Sequence, residues 1–146
     1  MRVLVDTNIL VRSIERRHHL MRTARRTLRS LIEQGHELCV SPQNIAEFWN
    51  VCTRPTSVNG LGNSIAATDR LTARIETFFT VLPDTAEIFG HWRRLVVMHE
   101  VKGAKVHDAR LVAIMQTHGL QSLLTFNADD FKRYAGIDVL FPERAD

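Results

Sequence analysis

Apolar residues follow two alternating rhythms along this chain. Short unbroken runs at 3–5, 38–40, 81–82, 122–125 and 139–141 suit buried strands, and apolar residues recur at helical spacing between them. Strand runs separated by helical stretches predict an α/β fold with a central, mainly parallel, roughly five-stranded sheet flanked by helices. Leu20, Ala24, Leu28, Leu31 and Ile32 form one predicted buried stripe, with Gly35 just past the helix end. Ser41-Pro42 reads as the cap and first residue of a helix that packs through Ile45, Phe48, Trp49 and Cys52 and stops near Arg54-Pro55. Residues 56–63 read as a loop and 64–79 as a helix. Asp84, with Glu87 three residues on, predicts a capping box for a helix that turns Ile88, Trp92, Leu95 and Val96 inward. A loop over 101–106 then leads to a last helix over 107–118, closed by Gly119.

Composition narrows the class. A length of 146 residues suits one domain over 1–146, and 45% hydrophobic with 24% charged residues is a globular balance. No apolar stretch is long enough to span a bilayer, so no membrane partner is expected. Strand-like sequence begins at once, which leaves no room for a signal peptide. Cys39 and Cys52 read as buried thiols, and a cytoplasmic location is expected. The net charge is only +3, but Arg12, Arg16, Arg17, Arg22, Arg25, Arg26 and Arg29 crowd the first helical region with Glu15 as the lone acid among them. Such a patch attracts polyanions, nucleic acid included; a solvated helix face and a surface for an acidic protein are the other readings.

Candidate chemistry lies in acidic residues at strand-to-helix points. Asp6 follows the first strand run directly, Glu47 lies on the helix after the second, and Asp108 falls in the first turn of a late helix. In an open parallel sheet, ligands bind outside the carboxyl ends of the strands, where Asp6 would face a crevice. A carboxylate there suits a hard cation such as Mg2+, and it equally suits a helix cap. A fourth polar stretch, with Asn127, Asp129 and Asp130, follows the strand run that ends at Thr125. Carboxylates meeting in one cleft raise each other's pKa, and a divalent cation relieves that repulsion. Thr7, Asn8 and Thr125 are placed to hold a ligand carboxylate or a phosphate, or to serve as turn and cap residues. His107 cannot face the same way as its neighbour Asp108 and reads as structural. Lys102 and Lys105, near the expected cleft, read as surface lysines, with a contact to phosphate oxygens as the other reading.

Four ordered segments carry a family resemblance: Val-Asp-Thr-Asn-Ile-Leu at 5–10, Ser-Pro-Gln-Asn-Ile-Ala-Glu-Phe at 41–48, Val-His-Asp-Ala-Arg-Leu-Val-Ala at 106–113 and Leu-Leu-Thr-Phe-Asn-Ala-Asp-Asp-Phe at 123–131. The sequence resembles PIN-domain proteins, most of all the VapC-type toxins of bacterial toxin–antitoxin pairs. The resemblance implies a three-layer α/β sandwich and a ribonuclease dependent on Mg2+ or Mn2+. It implies Asp6 and Asp108 as the principal metal ligands, with Glu47 completing the acidic triad. The family's fourth position is often Asp; Asn127 matches it here, with Asp130 shortly after, which weakens a second metal site. An RNA substrate, a small antitoxin partner and a homodimer are further implications. A PIN-fold RNA- or protein-binding module without useful catalysis is the competing reading. A phosphoacceptor domain would need a partner lysine arrangement that the sequence does not show.

Overall fold

The computed structural model describes residues 1–142, and five strands and six α-helices account for most of them. Strands β1 (Arg2–Val5), β2 (Glu37–Val40), β3 (Thr80–Val81), β4 (Ser122–Leu124) and β5 (Asp138–Leu140) form one sheet in the order β3-β2-β1-β4-β5. All four pairings are parallel. Each sequence-predicted strand is present within a residue or two of its expected place.

Helices cover both faces. The helices α1 (Thr7–Ile14), α2 (Met21–Glu33), α3 (Pro42–Thr53) and α4 (Ile65–Phe78) connect β1 to β2 and β2 to β3. Helices α5 (Glu87–Met98) and α6 (Lys105–His118) carry the chain from β3 to β4. Strand alternation divides the core accordingly. Val3 and Val5 point into a cluster with Ile9, Leu10, Phe48 and Ile75, while Leu4 points into one with Ile88, Leu95 and the middle of α6. Leu111 through Met115 are all buried, so α6 is apolar on every side in its middle and acts as a core helix.

Four expectations need correction. The first helical region is two helices, because the chain turns at 15–20: Arg12 pairs with Glu15, and His18 Nδ1 accepts the Leu20 N–H just before α2 begins. Ile32 is 47% exposed, since α2 presents that position to a groove facing α4 rather than to the sheet. Asp84 caps nothing: α5 begins at Glu87 with Ala86 at the cap position, and Asp84 instead meets Arg110 at 3.4 Å. The last helix also starts two residues early, so Lys105 belongs to its first turn and not to the preceding loop. Ser41 does cap α3 as expected, in a reciprocal box with Asn44, and Gly119 (φ 72°) closes α6 in the left-handed conformation that glycine adopts freely.

Candidate active site

The strand order reverses direction between β1 and β4, which opens a crevice at their carboxyl ends. Asp6 sits at that point. Its backbone N–H donates to Leu124 O at 2.9 Å, which ties the end of β1 to the end of β4. The residue is 8% exposed. Oδ1 accepts the Thr7 N–H (2.8 Å) and so caps α1; Oδ2 accepts the Thr125 hydroxyl (2.8 Å) and the Asn8 amide (3.3 Å). Cap and cleft carboxylate are therefore the same residue.

Thr125 fixes this arrangement. Its Oγ1 accepts from Asn8 Nδ2 (3.1 Å) and from the Asn127 N–H (3.0 Å), which leaves its proton for Asp6. Asn8 Oδ1 in turn accepts the Phe126 N–H at 3.1 Å. A second chain of bonds holds Glu47. Its Oε2 accepts the Thr7 hydroxyl (2.7 Å) and its Oε1 accepts Gln43 Nε2 (3.0 Å). Asn44, fully buried, donates to Thr7 Oγ1 at 3.2 Å. Gln43 Nε2 also donates to His107 O, and Gln43 Oε1 accepts from Arg110, so α3 is joined to α6 beside the cleft.

Asp108 lies half-buried in the first turn of α6, and Asp130 follows in the short 3-10 turn Ala128–Phe131 after β4. Lys105 forms an ion pair with Asp130 at the mouth. Burial pushes the Asp6 carboxyl up to about 6, and the charges of Asp108 and Glu47 add to that against the opposing hydrogen bonds. Burial likewise raises Asp108, with Asp130 and Glu47 adding repulsion and Lys105 opposing it. The four carboxylates thus share one electrostatic environment.

The chemistry of this donor set fits a hard divalent cation: carboxylate oxygens backed by hydroxyl and amide groups, and no thiols. Among the described residues, no three His, Cys, Asp or Glu side chains already converge on one point. Glu47 is held by Thr7 and Gln43, and Asp130 by Lys105, so ligation would require these side chains to swing toward Asp6.

Asp6 feels the charges of Glu47 and Asp108, and Asp108 those of Glu47 and Asp130. Thr7, Asn8 and Thr125 direct their polar atoms inward, to carboxylates and to one another. Asn127 joins the network through its backbone only, and its side chain is exposed. Gln43 and Asn44 were not anticipated as site residues. Their position in the cap of α3 was legible, but their reach to Glu47 and Thr7 depends on how α3 sits against β1.

Comparison with known proteins places this architecture. The PIN domain profile matches residues 3–137. The chain belongs to the PIN domain family. Solved structures show the same fold at low sequence identity. VapBC2 from Rickettsia felis, bound to a DNA fragment from its promoter, has a chain that aligns with a TM-score of 0.74 at 14% identity, over 98% of this chain and 100% of that one. A toxin–antitoxin complex from Klebsiella pneumoniae aligns at 0.67 and 22% identity, over 98% and 99%. Mycobacterium tuberculosis VapC20, a Sarcin-Ricin loop cleaving toxin, aligns at 0.66 and 22% identity, over 88% and 92%. No curated protein sequence matches the chain. Among the described residues of this PIN domain, no helix is long and apolar enough to cross a membrane.

Proposed function

We propose that this PIN-domain protein is a metal-dependent endoribonuclease and the toxin of a toxin–antitoxin pair, acting in the cytoplasm. The observation that carries the reading is the buried Asp6 carboxylate, held by Thr125 at the switch point of the sheet and repelled by Glu47 and Asp108. An uncompensated carboxylate cluster in a crevice is costly unless a cation joins it. Asp6, Asp108 and Glu47 would hold Mg2+ or Mn2+, which supplies a water of lowered pKa and charge stabilisation on a phosphodiester. Thr125 and Thr7 position the ligand carboxylates. Lys105 is placed at the mouth, where a phosphate oxygen could replace Asp130 as its partner.

The antitoxin fits a groove of about 750 Å3 between α2 and α4, where Leu28, Ile32, Ile75 and Phe78 form an apolar floor with Arg29 and Arg74 beside them. An amphipathic acidic segment matches that lining. The exposed apolar residues Phe89, Val97 and Met98 on α5 are consistent with a homodimer contact.

The test is cleavage of total cellular RNA by antitoxin-free protein with Mg2+, Mn2+ or EDTA. Discrete fragments that require metal and disappear in folded Asp6→Asn and Asp108→Asn variants are expected, with loss of at least about a hundredfold for a group acting on the reacting atoms. Full activity in either variant rejects the site. A binding module is the second reading, favoured by the carboxylates being held apart and by Asn127 in place of an acid. RNA left intact in every lane, by folded protein that nevertheless binds RNA, would select it.

A further inference from the structure

Beyond the carboxylates, the segments that follow β4 and β5 each carry a phenylalanine, at 126 and 141. The rings of Phe126 and Phe141 meet edge to face, with centroids 6.0 Å apart and planes at 86°. Phe126 is half-buried and rests against the core, whereas Phe141 is 59% exposed. Together with Asn127, Ala128, Asp129 and Asp130 they line a hollow of about 370 Å3. The hollow is joined to the acidic cluster by two hydrogen bonds: the Phe126 N–H donates to Asn8, and the Asn127 N–H to the Thr125 hydroxyl that holds Asp6.

The lining selects the ligand. Asp129 pairs with Lys132 at 2.6 Å and Asp130 pairs with Lys105, so the acids here are compensated, and among the described residues no unpaired cation lines the hollow for a phosphate. An edge-to-face contact leaves ring faces uncovered. The Asn127 amide has no hydrogen-bond partner among the described residues, and it offers a donor and an acceptor side by side. An uncharged planar group with a hydrogen-bonding edge satisfies all three features, and a nucleobase is such a group.

We propose that Phe126, Asn127 and Phe141 form a subsite that stacks and reads one base of single-stranded RNA beside the scissile phosphate. The inference rests on the ribonuclease reading for its substrate class. It adds a specificity element outside the carboxylates: the exposed Phe141 supplies the stacking face, Phe126 braces it against the core, and the Asn127 amide meets the base edge.

The experiment uses the full chain in EDTA, where metal-dependent cleavage is silent, and RNA octamers carrying 2-aminopurine at each position in turn. Stacking quenches that fluorophore, so wild type should quench it at one position more than at the others. Phe141→Trp should retain the signal. Phe141→Leu should lose it and bind roughly 5- to 150-fold more weakly, the range for one base–aromatic stack. Asn127→Ala, which tests the subsite without touching the aromatic pair, should keep the quenching but lose discrimination among bases at that position. Equal quenching and affinity in wild type and Phe141→Leu would overturn the subsite, as would failure of every octamer to bind. So would a changed sedimentation of Phe141→Leu with an unchanged RNA signal, which would make the pair a protein contact. Metal-dependent cleavage measured separately keeps the two readings apart. Cleavage indifferent to Phe141→Leu removes the subsite alone, and position-specific stacking without cleavage removes the nuclease alone.

Discussion

Thr125 is the residue on which the site turns. It is fully buried, accepts two hydrogen bonds and donates its proton to Asp6. Replacing it with valine keeps the shape and removes all three bonds. Asp6 then loses a partner in a buried setting, where an orphaned group costs about 1–3 kcal/mol, and Asn8 and the Asn127 N–H lose one in part-buried settings. Thr125→Val should therefore lower stability by at least about 1 kcal/mol in urea unfolding. It should also move the alkaline-rising limb of the pH–rate profile upward, because the hydroxyl that favours ionised Asp6 is gone. A destabilised variant with an unmoved limb would mean that Thr125 only packs.

At the scale of elements, the site is made by three helix starts facing two strand ends. Asp6 caps α1, Ser41 caps α3, and Asp108 lies in the first turn of α6. The strand runs and most helices were legible because each has a clear period and, for α3, a cap and a proline in sequence. The break at 15–20 was not, since it rests on a histidine ring accepting a backbone N–H rather than on glycine or proline. Asp84 failed as a cap for a tertiary reason: its carboxylate faces Arg110 of α6. The carboxylates could be picked out one by one, but Gln43 and Asn44 became site residues only through the packing of α3 beside β1 and α6. The exposure of Ile32 was equally hidden, because helical spacing reports a stripe and not which part of it the sheet covers, and Phe78 is exposed beside the same groove. That exposure carries a prediction. Ile32→Glu or Phe78→Glu should abolish co-purification with the antitoxin while leaving the metal-dependent cleavage intact; retained complex would place the antitoxin elsewhere.

For the whole molecule, the acidic crevice sets a pH dependence opposite to that of a salt-bridged carboxylate. Unfolded Asp6 titrates near 3.8 and folded Asp6 near 6. Between those values the folded protein binds more protons than the unfolded chain, so rising pH favours unfolding. The stability that protonated Asp6 allows is fully present below pH 3.8 and is lost as pH rises through about 6. At about 1.4 kcal/mol per unit, the loss approaches roughly 3 kcal/mol, and the raised Asp108 acts in the same direction. Metal-free wild type should weaken across this window in urea unfolding, and Asp6→Asn should lose most of that slope. A slope of equal size in the variant would assign it to other groups.

The same electrostatics makes cation binding the most direct test of the account. Calorimetric titration of Mn2+ into metal-free protein between pH 5 and pH 8 should show binding that strengthens with pH through about 6 and releases protons, since ligation requires ionised Asp6. Asp6→Asn and Asp108→Asn should bind far more weakly, with little pH dependence in the first. Binding of undiminished strength in folded Asp6→Asn, or no binding to wild type at pH 8, would contradict a cation site built on these carboxylates.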